Sequence, residues 1–219
     1  MVLNKKLKSF IKNSLPDSLL LHRKNSNCNC ISLTFDDGPY PENTEKILKI
    51  LRESNIKATF FMNGKAIQQH RETFLKVVND GHEIGNHFYN HKPVTALTYG
   101  ELKKEVEGFW KLLKEITLKN SFPKLIRPPY GKLNLKTLWY AWKNDLTVVL
   151  WSIDTGDLEA ESLQDNIETI EAIKIMKGDI ILLHEDSNHA DGLLEYIVQR
   201  AKSENLYFVT ISELLKDNL

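Results

Sequence analysis

Asp36 and Asp37 are two adjacent carboxylates that close an alternating apolar run, Ile31–Phe35, and Gly38 follows them. The run predicts a strand with one buried face. Consecutive strand residues point to opposite faces, so two aspartates at a strand end diverge around one opening. One carboxylate there could bind a cation while the other stays free as a base. A plain Asp-Asp-Gly-Pro turn without chemistry is the alternative.

His87 and His91 lie four residues apart. On one helical turn both imidazoles would face the same way and could hold a divalent cation. One carboxylate and two imidazoles leave a coordination position for water or substrate, which is the layout of a catalytic zinc site. We interpret the isolated histidines as structural: His22, His70, His82 and His189.

Strands that alternate with helices must position these residues. Beyond the first apolar run, the sequence predicts strands at 57–62, 82–85, 124–126, 146–153, 179–183 and 206–209. It predicts helices at 42–54, 98–119, 134–144, 161–176 and 191–203, a helical region ending at residue 79, and a terminal helix capped by Ser212. This alternation predicts parallel strands joined by crossover helices, and about seven such units fit a (β/α) barrel better than an open sheet.

Ionisable residues follow the predicted strands at the same topological position. In a parallel barrel, chemistry lies at the C-terminal strand ends. The ionisable residues at those ends are Asp36, Asp37, His87, His91, Arg127, Asp154, Asp157 and His184. We therefore expect these side chains to surround one site.

The composition limits the classes of partner. The chain has 219 residues with 29 basic and 29 acidic side chains, so its formal net charge is zero. This balance argues against a nucleic-acid partner, because such proteins carry a basic surface. No apolar run approaches the length of a transmembrane helix. Lysines and asparagines interrupt the N-terminus where a secretory signal would have its apolar core.

Cys28 and Cys30 are separated by one residue. We expect a bridge between them to be strained, and two thiols do not complete a structural zinc site. The sequence therefore predicts reduced cysteines. Reduced cysteines and the interrupted N-terminus together predict a cytoplasmic protein.

Residues 1–24 form a distinct segment before the main domain, which we place at residues 25–219. Apolar residues recur at three- and four-residue spacing up to Pro16, with lysines between them. This pattern predicts a basic amphipathic helix. The helix either packs on the domain or makes peripheral contact with an anionic membrane, at the inner face for a cytoplasmic protein.

Five segments resemble, in order, the motifs of the polysaccharide deacetylases, the NodB-homology or family 4 carbohydrate esterase group. They are residues 34–38, 81–91, 127–131, 151–157 and 182–184. The resemblance covers roughly residues 30–210 and implies a distorted (β/α) barrel. It also implies metal-dependent removal of N-acetyl groups from an amino sugar in a polysaccharide, an oligosaccharide or a lipid-linked glycan. The cofactor would be one divalent ion, Zn²⁺ first, with Co²⁺, Ni²⁺ or Mn²⁺ as alternatives.

The resemblance implies roles for the metal and base residues. By position, Asp37, His87 and His91 resemble the family's metal ligands. Asp36 resembles the general base that takes a proton from water. Arg127 is similar to the arginine that pairs with that base.

The resemblance also implies an acid and a pocket. His184 resembles the acid that protonates the leaving amine, and Asp157 the aspartate behind it. The backbone N–H of Tyr130 would help to hold the oxyanion. Trp151 and Leu182 would line the acetyl pocket.

The sequence departs from the family's pattern at three places. Leu158 stands where the family often has a tryptophan that forms a wall of the glycan groove, and Phe88 stands where Ser or Thr is common. Glu185 and Asp186 add negative charge after the acid histidine. Two alternative functions follow: a deformylase or other acyl hydrolase on a modified sugar, and a non-catalytic carbohydrate-binding protein on the same fold.

Overall fold

The computed structural model describes residues 14–117 and 121–216. In these ranges the strands are β1 Leu20–Leu21, β2 Cys30–Asp36, β3 Thr59–Met62, β4 Glu83–Asn86, β5 Leu125–Ile126, β6 Thr147–Val149, β7 Ile153–Asp154, β8 Ile180–His184 and β9 Tyr207–Phe208. The α-helices are α1 Pro41–Glu53, α2 Gly64–Gln69, α3 Arg71–Asn79, α4 Tyr99–Thr117, α5 Leu135–Lys143, α6 Leu163–Glu171, α7 Ala190–Ser203 and α8 Ile211–Lys216. Short 3₁₀ helices span Val94–Ala96 and Pro129–Gly131.

The strands form one parallel sheet in the order β1-β6-β5-β4-β3-β2-β8-β7, and β9 pairs with β2. No ladder joins β1 to β7 among the described residues, so the barrel is open on one side. All seven residues of β2 are buried, as expected of a barrel strand with neighbouring strands on both sides, helices outside and packed side chains inside. The predicted distorted (β/α) barrel is confirmed.

Apolar helix faces cover the outside of the sheet. In α4, Leu102, Val106, Phe109 and Leu113 recur at three- and four-residue spacing and are buried. The helices predicted at 42–54, 134–144 and 191–203 are confirmed with ends shifted by one residue or none. The helix predicted at 98–119 is confirmed up to residue 117, beyond which residues 118–120 lie outside the described part.

Several predicted element ends are wrong for local reasons. The apolar run 146–153 divides into β6 and β7, because Ser152 leaves the strand path and its hydroxyl bonds to Asp179 at 2.7 Å. Helix α6 begins later than predicted, after a capping box in which Ser162 and Asp165 bond reciprocally. Thr210, not Ser212, caps the last helix, because its hydroxyl and backbone N–H both contact the Glu213 carboxylate.

Part of the predicted N-terminal segment belongs to the barrel. Leu20 and Leu21 are buried and pair with Val148 and Val149 of β6. Arg23 Nε lies 2.6 Å from the buried Asp179 carboxylate. The boundary predicted after residue 24 therefore moves upstream of Leu20. Most of the predicted amphipathic helix, residues 1–13, lies outside the described residues.

Cys28 and Cys30 form a disulfide, which corrects the prediction of two reduced thiols. The chain bends at Asn29, and the two Cα atoms lie 5.3 Å apart, a usual separation for a disulfide. Within the described ranges, no helix has the length and apolar character needed to cross a membrane.

The position of Leu21 generates a stability prediction. Leu21 is 0% exposed in β1, so Leu21→Ala should lower the free energy of unfolding by about 2–5 kcal/mol in urea denaturation. Leu135→Ala is the control, because Leu135 is 67% exposed and its loss should change stability by at most about 0.5 kcal/mol. Equal effects of the two substitutions would mean that β1 is not part of the folded barrel.

Candidate active site

The C-terminal strand ends bring the predicted site residues to one edge of the barrel. Asp36 ends β2 and is followed by Asp37, His87 follows β4, Arg127 follows β5, and His184 ends β8. Asp36 and His184 are register partners in adjacent strands. The two side chains with predicted proton-transfer roles are therefore neighbours at the edge where such barrels carry chemistry.

His87 and His91 approach each other through a loop. Their Nε2 atoms lie 3.2 Å apart, but residues 87–91 are not helical, and Phe88 and His91 have positive φ angles of 69° and 55°. Glu105 of α4 holds this loop by accepting hydrogen bonds from the Asn90 backbone and side-chain nitrogens at 2.6 and 2.9 Å. The prediction of a shared helical turn is wrong, although the two imidazoles do converge.

Asp37, His87 and His91 form one group of candidate metal ligands. One ligand atom from each residue lies within 4.8 Å of the other two. Asp37 Oδ1 is 2.9 Å from His91 Nε2 and 3.5 Å from His87 Nε2. Asp37 reaches this position with a φ of 74°, a left-handed conformation that aspartate tolerates better than most residues.

The protonation states of these donors suit a cation. His87 Nδ1 donates to the Arg127 carbonyl at 2.7 Å, which leaves the Nε2 lone pair facing Asp37. Burial lowers the pKa of His87. Burial raises the pKa of Asp37, but the hydrogen bond with His91 and the charges of the histidines outweigh it and hold the pKa at about 2. The ionised Asp37 carboxylate and the two imidazoles are a donor set that fits one divalent ion with open coordination positions.

Asp36 is held from behind by Arg127. Both side chains are buried, and Arg127 Nη1 donates to Asp36 Oδ1 at 2.6 Å. The other carboxylate oxygen, Oδ2, lies 3.7 Å from His87 Nε2. One oxygen is therefore fixed by the guanidinium while the other faces the candidate metal ligands.

His184 is held by Asp157. Asp157 Oδ1 accepts from His184 Nδ1 at 2.8 Å, and Oδ2 accepts from the His184 backbone N–H at 2.7 Å. Burial lowers the pKa of His184, but the hydrogen bond and charge of Asp157 outweigh it and raise the pKa to about 9. The imidazole is therefore protonated at neutral pH, with Nε2 left to donate.

The candidate oxyanion and pocket residues lie beside these groups. Tyr130 has a φ of 61°, and its ring centroid is 4.8 Å from that of His91. Trp151 packs on Gly131 so closely that a Cβ there would lie 2.6 Å from the indole. Leu182 is buried in β8. Asp154 does not join the catalytic group, because it is exposed and accepts from Trp151 Nε1 at 3.1 Å.

Glu185 departs from its predicted role as an added negative charge. Its side chain is fully buried and accepts a hydrogen bond from Thr44. Burial raises the pKa of the Glu185 carboxyl to about 8, and the negative charges of Asp37 and Asp186 add to this effect, while the Thr44 hydrogen bond opposes it. Glu185 is therefore mainly neutral at pH 7, which corrects the expectation from sequence.

A cavity of about 500 Å³ opens over the site. Its lining includes residues that the sequence did not single out: Tyr40, Asn63, Lys65, Gln69 and Asn90. His70, which the sequence analysis interpreted as structural, also lines the cavity. Apart from Asn90, which lies inside the 81–91 motif segment, these residues come from loops and helices outside the motifs, so only their proximity to Asp37 and His91 identifies them. Leu158 also lines this cavity and is 47% exposed.

The chain matches a family model described as polysaccharide deacetylase over residues 23–149. The chain belongs to this family, and the resemblance seen in the sequence is confirmed. Relatives that are named as deacetylases are hydrolases, so the site lies on a fold that carries hydrolase activity.

Three known proteins show what the chain is similar to. The peptidoglycan-N-acetylglucosamine deacetylase of Bacillus cereus is 33% identical over 190 residues, which cover 85% of this chain and 68% of that protein. The peptidoglycan-N-acetylmuramic acid deacetylase PdaC of Bacillus subtilis is 31% identical, over 84% of this chain and 38% of its own length. The crystal structure of the Bc1960 peptidoglycan N-acetylglucosamine deacetylase matches with a TM-score of 0.83 at 29% identity, covering 91% of this chain and 94% of the other.

The Asp157–His184 pair generates a pH prediction. The contribution of this pair to the free energy of folding should be complete below the ordinary histidine pKa of 6.5 and should be lost as pH rises through the His184 pKa of about 9. Asp157→Asn should lower the pKa of His184, as measured by NMR titration of the imidazole protons in metal-free protein. Asp154→Asn is the matched control, because Asp154 does not bond His184. An unchanged His184 titration in Asp157→Asn would contradict this account.

Proposed function

We propose that the protein is a metal-dependent hydrolase that removes N-acetyl groups from an amino sugar of a peptidoglycan-type glycan. The observation that carries this proposal is the placement of Asp36 and His184 in register beside the Asp37, His87 and His91 ligand set. A donor set of two imidazoles and one carboxylate suits Zn²⁺ first, with Co²⁺, Ni²⁺ or Mn²⁺ as alternatives.

The reaction needs a base, because water must lose a proton as it attacks the acetyl carbonyl. Bound at Asp37, His87 and His91, a divalent ion supplies Lewis acidity that polarises the carbonyl and activates water. Asp36 Oδ2 would accept the proton of that water. The guanidinium of Arg127, 2.6 Å from Asp36 Oδ1, holds the carboxylate so that Oδ2 faces the candidate metal ligands.

The reaction also needs an acid, because the nitrogen anion is a poor leaving group and must be protonated. His184 Nε2 would donate this proton to the sugar nitrogen as the C–N bond breaks. Asp157 raises the pKa of His184 to about 9, so the proton is present at neutral pH. A base candidate, Asp36, beside a protonated acid candidate, His184, is the pair that acid–base hydrolysis requires.

The surrounding residues would position the acetyl group. The Tyr130 N–H would stabilise the developing oxyanion, as backbone donors do in acyl transfer. Trp151 and Leu182 would enclose the methyl group. A non-catalytic binding protein would have no need of the Arg127–Asp36 and Asp157–His184 pairs, so their presence favours catalysis.

The substrate class follows from the relatives, which are named as deacetylases of peptidoglycan amino sugars. A lipid-linked amino sugar is the alternative for an enzyme at a membrane surface. The cytoplasmic location and the peripheral membrane contact of residues 1–24 stay predictions.

The first functional prediction separates metal binding from catalysis. Asp37→Ala should lose both the divalent ion and the release of acetate from N-acetylated peptidoglycan fragments. Asp36→Asn should retain the ion but lower turnover by about 10²–10⁴-fold, because the water proton has no acceptor. Elemental analysis and acetate release, with and without chelator, measure the two effects. Full metal content in Asp37→Ala would contradict the ligand assignment. Release of formate from a formylated substrate, without release of acetate from an acetylated one, would favour the deformylase alternative.

The second functional prediction concerns Leu158. Its side chain lines the cavity where an indole would add apolar area against a sugar ring. We expect the natural protein to have similar kcat/KM values on a short and a long glycan. Leu158→Trp should raise kcat/KM on the long glycan more than on the short one. A steep rise with chain length in the natural protein would contradict the prediction.

A further inference from the structure

Helix α5 presents large apolar side chains to solvent. Leu135, Trp139 and Trp142 are 67%, 55% and 62% exposed, and their four- and three-residue spacing places them on one helix face. The two indole centroids lie 5.0 Å apart. We propose that this α5 face, defined as Leu135, Trp139 and Trp142, binds the surface of an anionic lipid bilayer.

The side chains of the α5 face suit the bilayer interface. Tryptophan prefers the headgroup level of a membrane, where its ring is apolar and its N–H stays hydrated. Interfacial helices combine such residues with leucine on one face and lysines at the sides. The α5 face has this composition of tryptophan and leucine. Its three side chains stay exposed to solvent in the described part of the chain.

The charge around the α5 face complements anionic lipid. Helix α5 contains no acidic residue, the exposed Lys143 ends it and the exposed Lys132 precedes it, while Lys136 Nζ donates to the Leu97 carbonyl. The nearest acid in sequence, Asp145, is paired with Lys124 at 2.8 Å. Negative lipid headgroups would therefore meet lysines without repulsion from α5 itself.

The N-terminal segment joins the barrel at the same place. Leu15 and Leu19 pack against the hydrophobic cluster to which α5 contributes Leu138 and Tyr140. The carbonyl of Ser18 accepts from Thr147 Oγ1 at 2.8 Å. Upstream of this junction the sequence carries four lysines, Lys5, Lys6, Lys8 and Lys12.

The same features argue against two other occupants. A glycan platform combines an aromatic face with amide or carboxylate side chains that bond sugar hydroxyls, and α5 has neither type of residue. In a two-fold dimer formed through α5, the lysines of one copy would face the same lysines of the other copy and repel them.

Vesicle binding tests the proposal. The full chain should sediment with vesicles of phosphatidylglycerol and phosphatidylcholine in equal parts, bind pure phosphatidylcholine less, and be released by high salt. Brominated lipids should quench its tryptophan fluorescence. The Trp139→Ala, Trp142→Ala double variant should bind about tenfold more weakly and lose most of this quenching. Its acetate release from a water-soluble substrate should be unchanged, which shows that it folds.

Matched controls make the outcomes distinct. Tyr207→Ala removes an aromatic residue that is 48% exposed elsewhere and should bind vesicles normally. Lys143→Glu should weaken binding to anionic vesicles alone. The proposal is overturned if the double variant binds vesicles like the natural chain. It is also overturned if the tryptophans are needed only for binding insoluble peptidoglycan or for self-association in sedimentation velocity.

Discussion

The buried guanidinium of Arg127 is the interaction on which the site depends. It donates to Asp36 Oδ1 and Thr34 Oγ1 of β2 at 2.6 and 2.9 Å, and to the carbonyls of Val149 and Leu150 at 3.2 and 3.3 Å. A buried charge is costly unless it is paired and hydrogen-bonded. These bonds satisfy it and tie β5, β2 and the end of β6 together. Because the backbone carbonyl of Arg127 also accepts from His87 Nδ1, one residue orients a base candidate and a metal-ligand candidate.

A neutral buried carboxyl moderates the charge behind this pair. The site already holds Asp36 and Asp37 side by side. The negative charge of a third carboxylate would repel both, at a cost in electrostatic free energy. Glu185 avoids this cost by remaining largely protonated at pH 7, with a pKa of about 8. A Cβ at Gly38 would overlap its carboxyl oxygen, so the glycine is needed for Glu185 to fit under the loop.

The sequence predicted most elements and the candidate residues that the fold brings together, because both depend on local pattern. The apolar run before Asp36, the helical periodicity of α4 and the order of the motifs all lie within short windows. The errors arose where distant contacts decide: Ser152 leaves the sheet to meet Asp179, and Glu105 folds the histidine loop from another helix. The neutral state of Glu185 and the cavity lining also depend on neighbours far away in the chain, which no local window contains.

The open side of the barrel has a consequence for behaviour at high concentration. A free sheet edge offers unpaired N–H and C=O groups that can template β-pairing with another molecule. Here the two edge strands, β1 and β7, have only two residues each, and β7 ends in the exposed carboxylate of Asp154. Each edge is therefore too short to hold an incoming strand in register. Within the described residues, the barrel thus stays unclosed without offering a long free strand edge.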